Sequence, residues 1–78
     1  MSRKSSFNPA VLAANLRACR ARLDLTQEQV SQDTGLSLAS IKNYESGDNV
    51  PGTDAICVLA DYYRTSVDRL CGRKSHAA

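Results

Sequence analysis

Two helix starts and two helix stops fall within residues 26–47, and this punctuation constrains the fold more than any other feature of the chain. Thr26 followed three residues later by Gln29 is a capping box, in which the two side chains reciprocally satisfy free backbone N–H groups. A helix therefore opens at Gln27. Gly35 stands where a left-handed C-cap is expected, since glycine takes positive φ without a Cβ clash. Two residues on, Ser37 can cap another helix running from about Leu38 to Glu45, which Gly47 ends. Two helices of two turns each, joined by a tight glycine turn, make a helix-turn-helix unit.

The flanking segments read as helix too. Asn8 can cap a helix whose first residue is Pro9, where the missing N–H costs nothing. That helix is expected to run to about Leu23, with Leu12, Leu16, Cys19 and Leu23 on one face. Residues 46–52 are loop by every breaker signal. Thr53 is expected to cap a fourth helix, to about Tyr63, with Asp54 in its first turn and Ile56, Leu59, Ala60 and Tyr63 inward. Ser66 caps a fifth, bearing Val67, Leu70 and Cys71 before Gly72. Residues 1–7 read as a flexible arm, 8–72 as one domain and 73–78 as a disordered tail. Composition agrees: alanine and leucine outnumber valine and isoleucine 18 to 7, and unbranched side chains keep most of their rotamer freedom in a helix. The fold class expected is all-α, with five helices and no strand.

Composition also excludes functions. No apolar run approaches the ~18 residues that a membrane span needs. The basic start, Arg3 and Lys4, is interrupted by Asn8-Pro9 and Asn15 before any signal-peptide core can form. Cys19, Cys57 and Cys71 are odd in number and widely spaced, which fits a reduced, cytoplasmic protein whose cysteines are buried as small hydrophobes. Cys71 and His76 lack the second tight pair of a zinc site, so no metal and no cofactor is expected. Paired catalytic carboxylates, a nucleophile–base constellation and a glycine-rich phosphate loop are missing, so the chain does not read as an enzyme.

Net charge is +2, and its distribution is uneven. Residues 1–23 hold five basic residues and no acid, whereas residues 24–72 hold eight acids against Lys42, Arg64 and Arg69. Such asymmetry suits a basic face for a polyanion, and equally an internally ion-paired domain.

The stretch from Gln27 to Tyr44 carries a more specific signal. Val30, Leu36, Ile41 and Tyr44 are apolar, Ser31 is small enough for close helix approach, and Gly35 makes the turn. With Leu-Thr-Gln before it and Tyr-Glu-Ser-Gly after it, the stretch resembles the Cro/CI-type (XRE-like) helix-turn-helix family of phage and bacterial regulators. The resemblance extends from about Asn15 to Gly72, where Val67-Asp68-Arg69-Leu70 is similar to the family's terminal helix. It departs at Ser31, where alanine is commonest; a serine there can bond its own helix backbone.

That resemblance implies a compact five-helix, lambda-repressor-like domain whose third helix enters the major groove of double-stranded DNA. Helical geometry independently selects the outward face of that helix: Ala39 and Asn43 lie nearly opposite Ile41, with Lys42 and Ser46 to one side and Ser40 to the other. Asn43 can present a bidentate donor–acceptor pair to adenine, Lys42 can reach guanine or a phosphate, and Ala39 can touch a thymine methyl. Leu38 either finishes the core or contacts thymine methyls; it is counted with Ala39, Lys42 and Asn43 as a base-contacting candidate. Gln27, at a helix start, is a phosphate-contacting candidate, as are Ser37, Ser40 and Ser46. Arg20 and Glu45 both flank the apolar faces of their helices, and the resemblance implies a partly buried structural ion pair between them.

The function expected is a sequence-specific transcriptional regulator, a repressor, acting as a homodimer on a short inverted repeat, with dimer contacts near Tyr62, Arg69 and Cys71. The alternative is an antitoxin- or antirepressor-type module that binds another protein and DNA only weakly, a reading favoured by the sparse outward face of the third helix.

Overall fold

The computed structural model describes residues 7–73; the basic residues Arg3 and Lys4, the tail beyond Arg73 and His76 lie outside the described residues. Five helices follow in order: α1 (Pro9–Arg22), α2 (Gln27–Thr34), α3 (Leu38–Ser46), α4 (Thr53–Tyr62) and α5 (Val67–Leu70). No strand occurs among the described residues, and every expected helix is present within one or two residues of its expected ends.

Most of the caps are those read from the sequence. Asn8 Oδ1 accepts from the Ala10 N–H at 2.9 Å, and Pro9 opens α1. Both halves of the Thr26–Gln29 box form, with Thr26 N donating to Gln29 Oε1 at 2.8 Å and Gln29 N to Thr26 Oγ1 at 3.1 Å. Ser37 and Ser66 accept from the N–H groups of Ser40 and Arg69. Gly35, at φ +79°, is the left-handed C-cap that lets α2 stop and α3 begin. Thr53 departs from expectation. It is the first residue of α4, the cap is Gly52, and no side chain bonds that helix start. Glycine is itself an acceptable N-cap, and the extended backbone at Gly52 moves the helix start one residue earlier.

The core is drawn from every helix. Leu12, Ala13, Leu16 and Cys19 of α1 meet Val30, Ile41, Leu59, Ala60, Tyr63 and Leu70. Each fully buried leucine contributes about 2 kcal/mol, so the four from α1, α4 and α5 anchor the two ends of the chain to each other. Phe7, Leu25, Leu36, Tyr44, Ile56, Tyr62 and Val67 pack around this centre partly buried. Two sequence expectations fail here. Leu23 keeps the apolar period but is 49% exposed, because α1 ends at Arg22 and the cap residue turns away. Cys57 is exposed, whereas Cys19 is buried and Cys71 is between the two; all three are free thiols. None of the helices is long and apolar enough to cross a membrane.

α2 is the most lightly held of the four longer helices. Val30 is its single buried residue, so its position depends on polar ties to its neighbours. Those ties lead directly to the candidate site.

Candidate nucleic-acid interface

Glu45 sits at the meeting point of α1, α2 and α3 and is only 4% exposed. A buried carboxylate needs full compensation, and three hydrogen bonds from Arg20 and Gln27 provide it. Arg20 Nε donates to both carboxylate oxygens, at 3.0 and 2.9 Å. Gln27 Nε2 donates to Oε1 at 3.2 Å, and the Arg17 guanidinium donates to the Glu45 backbone carbonyl. The Arg20 Nη1 group continues to the Leu25 carbonyl at 3.0 Å, closing the loop before α2. The bond to Glu45 raises the Arg20 pKa further above its ordinary value. The expected Arg20–Glu45 pair is therefore present, and two ties that the sequence reading missed, from Arg17 and Gln27, join it.

This network and Ile41 fix the back of α3, and the opposite side faces out. Ala39, Lys42 and Ser46 are exposed; Leu38, Ser40 and Asn43 are half-buried. Among the described residues, neither the Lys42 ammonium nor the Asn43 side-chain amide has a hydrogen-bond partner, which leaves their polar ends available. The serines are more occupied. Ser37 Oγ accepts from Ser40 N and bonds Ser40 Oγ at 2.9 Å, while Ser46 Oγ donates to the Asn43 carbonyl and accepts from Asp48 N. Gln27 is half-buried, with its amide N–H turned to Glu45. Of the expected phosphate contacts, Ser37 and Ser46 are exposed at the two ends of α3, and Gln27 flanks its C-terminal half.

The turn between α2 and α3 is tied by hydroxyls. Ser31 Oγ donates to the Leu36 carbonyl at 2.6 Å, across the turn and not within its own helix as expected from the sequence. Thr34 Oγ1 donates to the Val30 carbonyl and accepts from Leu36 N. On the outer side of α2, the Tyr62 hydroxyl donates to Asp33 Oδ2 at 2.7 Å and fastens α2 to α4. Asn15 Nδ2 donates to the Leu70 carbonyl at 2.9 Å and holds the end of α5 on α1. These long-range polar ties leave no periodic trace in the sequence.

A family model described as a helix-turn-helix domain matches residues 11–70. The chain is 41% identical over 54 residues to the cryptic phage CTXphi transcriptional repressor RstR of Vibrio cholerae, covering 69% of this chain and 48% of that protein. It is 35% identical over 57 residues to the uncharacterized HTH-type transcriptional regulator YobD of Bacillus subtilis, covering 73% of this chain and 51% of that protein. The chain thus spans about half the length of the curated relatives it matches. Among solved structures, the SOS-response transcriptional repressor LexA from Eubacterium rectale has the same fold, with a TM-score of 0.79 at 21% identity over 95% of this chain and 81% of that one. The BldD DNA-binding domain of S. venezulae matches with a TM-score of 0.70 at 28% identity over 86% of this chain and 99% of that one. By its two glycine-punctuated helices, its five-helix architecture and these likenesses, the chain belongs to the Cro/CI-type (XRE-like) helix-turn-helix domain family.

Proposed function

We propose that this chain is a sequence-specific, double-stranded-DNA-binding transcriptional regulator, a repressor, that acts in the cytoplasm without cofactor or catalysis. The observation that carries the reading is the division of α3 into two sides. Ile41 and Glu45 are buried behind it, while Lys42 and Asn43 hold polar ends in front that are unpartnered among the described residues. A helix fixed from behind loses little further freedom when it enters a groove, so its side chains can be spent on base edges. Asn43 reads an adenine, Lys42 a guanine or phosphate, and Ala39 and Leu38 thymine methyls; Gln27, Ser37, Ser40 and Ser46 hold the backbone on either side. A relative named as a phage transcriptional repressor supports this reading.

A single module of this kind reaches only three or four bases, so pairing two half-sites is the physical route to useful specificity. The working form is accordingly a homodimer on an inverted repeat. The protein-interaction alternative draws support from one observation, that Lys42 is the only charged residue on the outward face of α3.

Selection of bound sites from random duplex DNA tests the proposal. An enriched motif with two inverted half-sites is expected. Recovery of DNA without any enriched motif overturns sequence-specific regulation and favours the interaction module.

A further inference from the structure

A second charged feature lies away from α3. A groove of about 280 Å³ opens between α1 and the α4–α5 turn. Asn15, Ala18, Cys19 and Arg22 line it from α1, and Arg64, Thr65, Arg69 and Leu70 line it from the other side. All three arginines are exposed. Among the described residues, none of their guanidinium groups pairs with a carboxylate; the Arg22 fork reaches only the Cys19 sulfur, at 3.8 Å. Three uncompensated cations around one concavity repel one another, and an anion placed between them relieves that repulsion. Arg64 adds a further cost. Its backbone is left-handed, at φ +55°, a conformation that glycine would hold without strain.

The groove faces away from the helix-turn-helix. Around α1, Asn15, Ala18 and Arg22 form one stripe at i, i+3 and i+7 spacing. Arg17 and Arg20, which reach across to Glu45 of α3, lie beyond the buried Leu12–Leu16–Cys19 stripe on the other flank. A duplex lying along α3 therefore approaches the flank of α1 that does not carry the groove.

We propose that this groove binds a small anion of the phosphate class, a free di- or trianion held by the forks of Arg22, Arg64 and Arg69. Guanidinium forks match phosphate oxygens bidentately and cannot lose their charge, which suits a site open to water. The volume is at the small end for ligand pockets and is enough for a pyrophosphate or a compact phosphate ester. Thr65, half-buried in the lining, brings a hydroxyl as an added donor. This site goes beyond the DNA-binding reading and does not depend on it.

The test is an NMR titration of the full isotope-labelled chain with sodium pyrophosphate, against sodium chloride at matched ionic strength. Saturable shifts are expected at the amides of Arg22, Thr65 and Arg69, with α3 unmoved. Arg64→Gln/Arg69→Gln should weaken pyrophosphate binding about tenfold or more, since each lost charged bond is worth a factor of that order. Lys42→Gln should leave it unchanged. Amide spectra of each variant check folding, and Arg69→Gln alone serves if the double variant unfolds. Equal shifts with chloride, or an equal loss in Lys42→Gln, overturn the site. A second arm measures affinity for random duplex DNA. If the arginine variant weakens that binding as much as Lys42→Gln does, the groove holds DNA phosphates and the free-anion site is overturned.

Discussion

The Tyr62 hydroxyl donates to Asp33 Oδ2 at 2.7 Å, across 29 residues of sequence, and this bond ties α2 to α4. Its importance follows from how little else holds α2, whose only buried residue is Val30. Burial and the bond to Asp33 push the Tyr62 pKa up from 10.0 to about 12. The phenol is therefore protonated in the native state where an unfolded tyrosine has begun to ionise. Its contribution is fully present below pH 10 and is lost as pH rises through about 12. Tyr62→Phe should cost about 1 kcal/mol at neutral pH and should flatten the alkaline loss of stability. Tyr63, whose pKa burial also raises, feels the Tyr62 charge as well, so the difference between the two proteins reports Tyr62 together with its effect on Tyr63. Urea midpoints followed from neutral to alkaline pH provide the check; parallel curves would show that the bond to Asp33 does not form.

The Arg20–Glu45 pair gives a larger effect. Glu45→Ala leaves Arg20 and Gln27 without their shared acceptor at a site where the carboxylate is 4% exposed. Removing one partner of a buried pair costs about 3 kcal/mol. Asp48, exposed in the following loop, has no such network, and Asp48→Ala should be nearly neutral. Similar shifts of the denaturation midpoint in both variants would place the pair in solvent.

Glycine positions differ in what they demand. Gly35 and Gly72 both have positive φ, +79° and +74°, but a Cβ at Gly35 meets nothing within 4 Å, whereas one at Gly72 comes within 2.6 Å of Val11 Cγ1. Gly35→Ala should therefore cost only the left-handed backbone, about 1–2 kcal/mol. Gly72→Ala adds a clash with a β-branched side chain that has one strongly preferred rotamer in a helix. Moving the chain end aside would instead break the 2.8 Å bond from Arg73 N to the Asp68 carbonyl. Gly72→Ala should thus be the more destabilising of the two in urea titrations, and an equal cost would mean that Val11 yields freely.

Local rules made the helices legible, and long-range ties were not. Asn8, Thr26, Ser37 and Ser66 were readable as caps because each acts on backbone two or three residues away. Thr53 misled because threonine and the preceding glycine can both cap, and the backbone at Gly52 decides between them. Leu23 misled because the apolar period runs one residue past the end of α1. Glu45 was placed on the core flank by its spacing from Ile41, and the family resemblance named its partner Arg20. The Gln27 bond to Glu45 and the Ser31 bond to Leu36 depend on how separate segments meet, which periodicity does not encode.

The bases and the backbone of DNA should separate Asn43 from Gln27. Asn43 projects from the side of α3 opposite the buried Ile41, with its side-chain amide unpartnered among the described residues. Asn43→Ala should relax preference at one base pair, costing about 1–3 kcal/mol on a selected site and little on a scrambled one. Gln27, at the start of α2, should reach only phosphates, which carry no direct sequence information. Gln27→Ala should therefore weaken binding to both sites similarly. It should also lower stability by about 1 kcal/mol, because its bond to Glu45 goes while both Arg20 bonds remain. Both variants should still fold. Affinities of the two for selected and scrambled duplexes, at one fixed salt concentration, decide the matter, because the electrostatic part of binding changes steeply with salt. If Asn43→Ala leaves the ratio of the two affinities unchanged, α3 does not read bases through Asn43. If Gln27→Ala changes that ratio, the start of α2 lies against base edges and the docking of the whole unit is tilted from the one proposed.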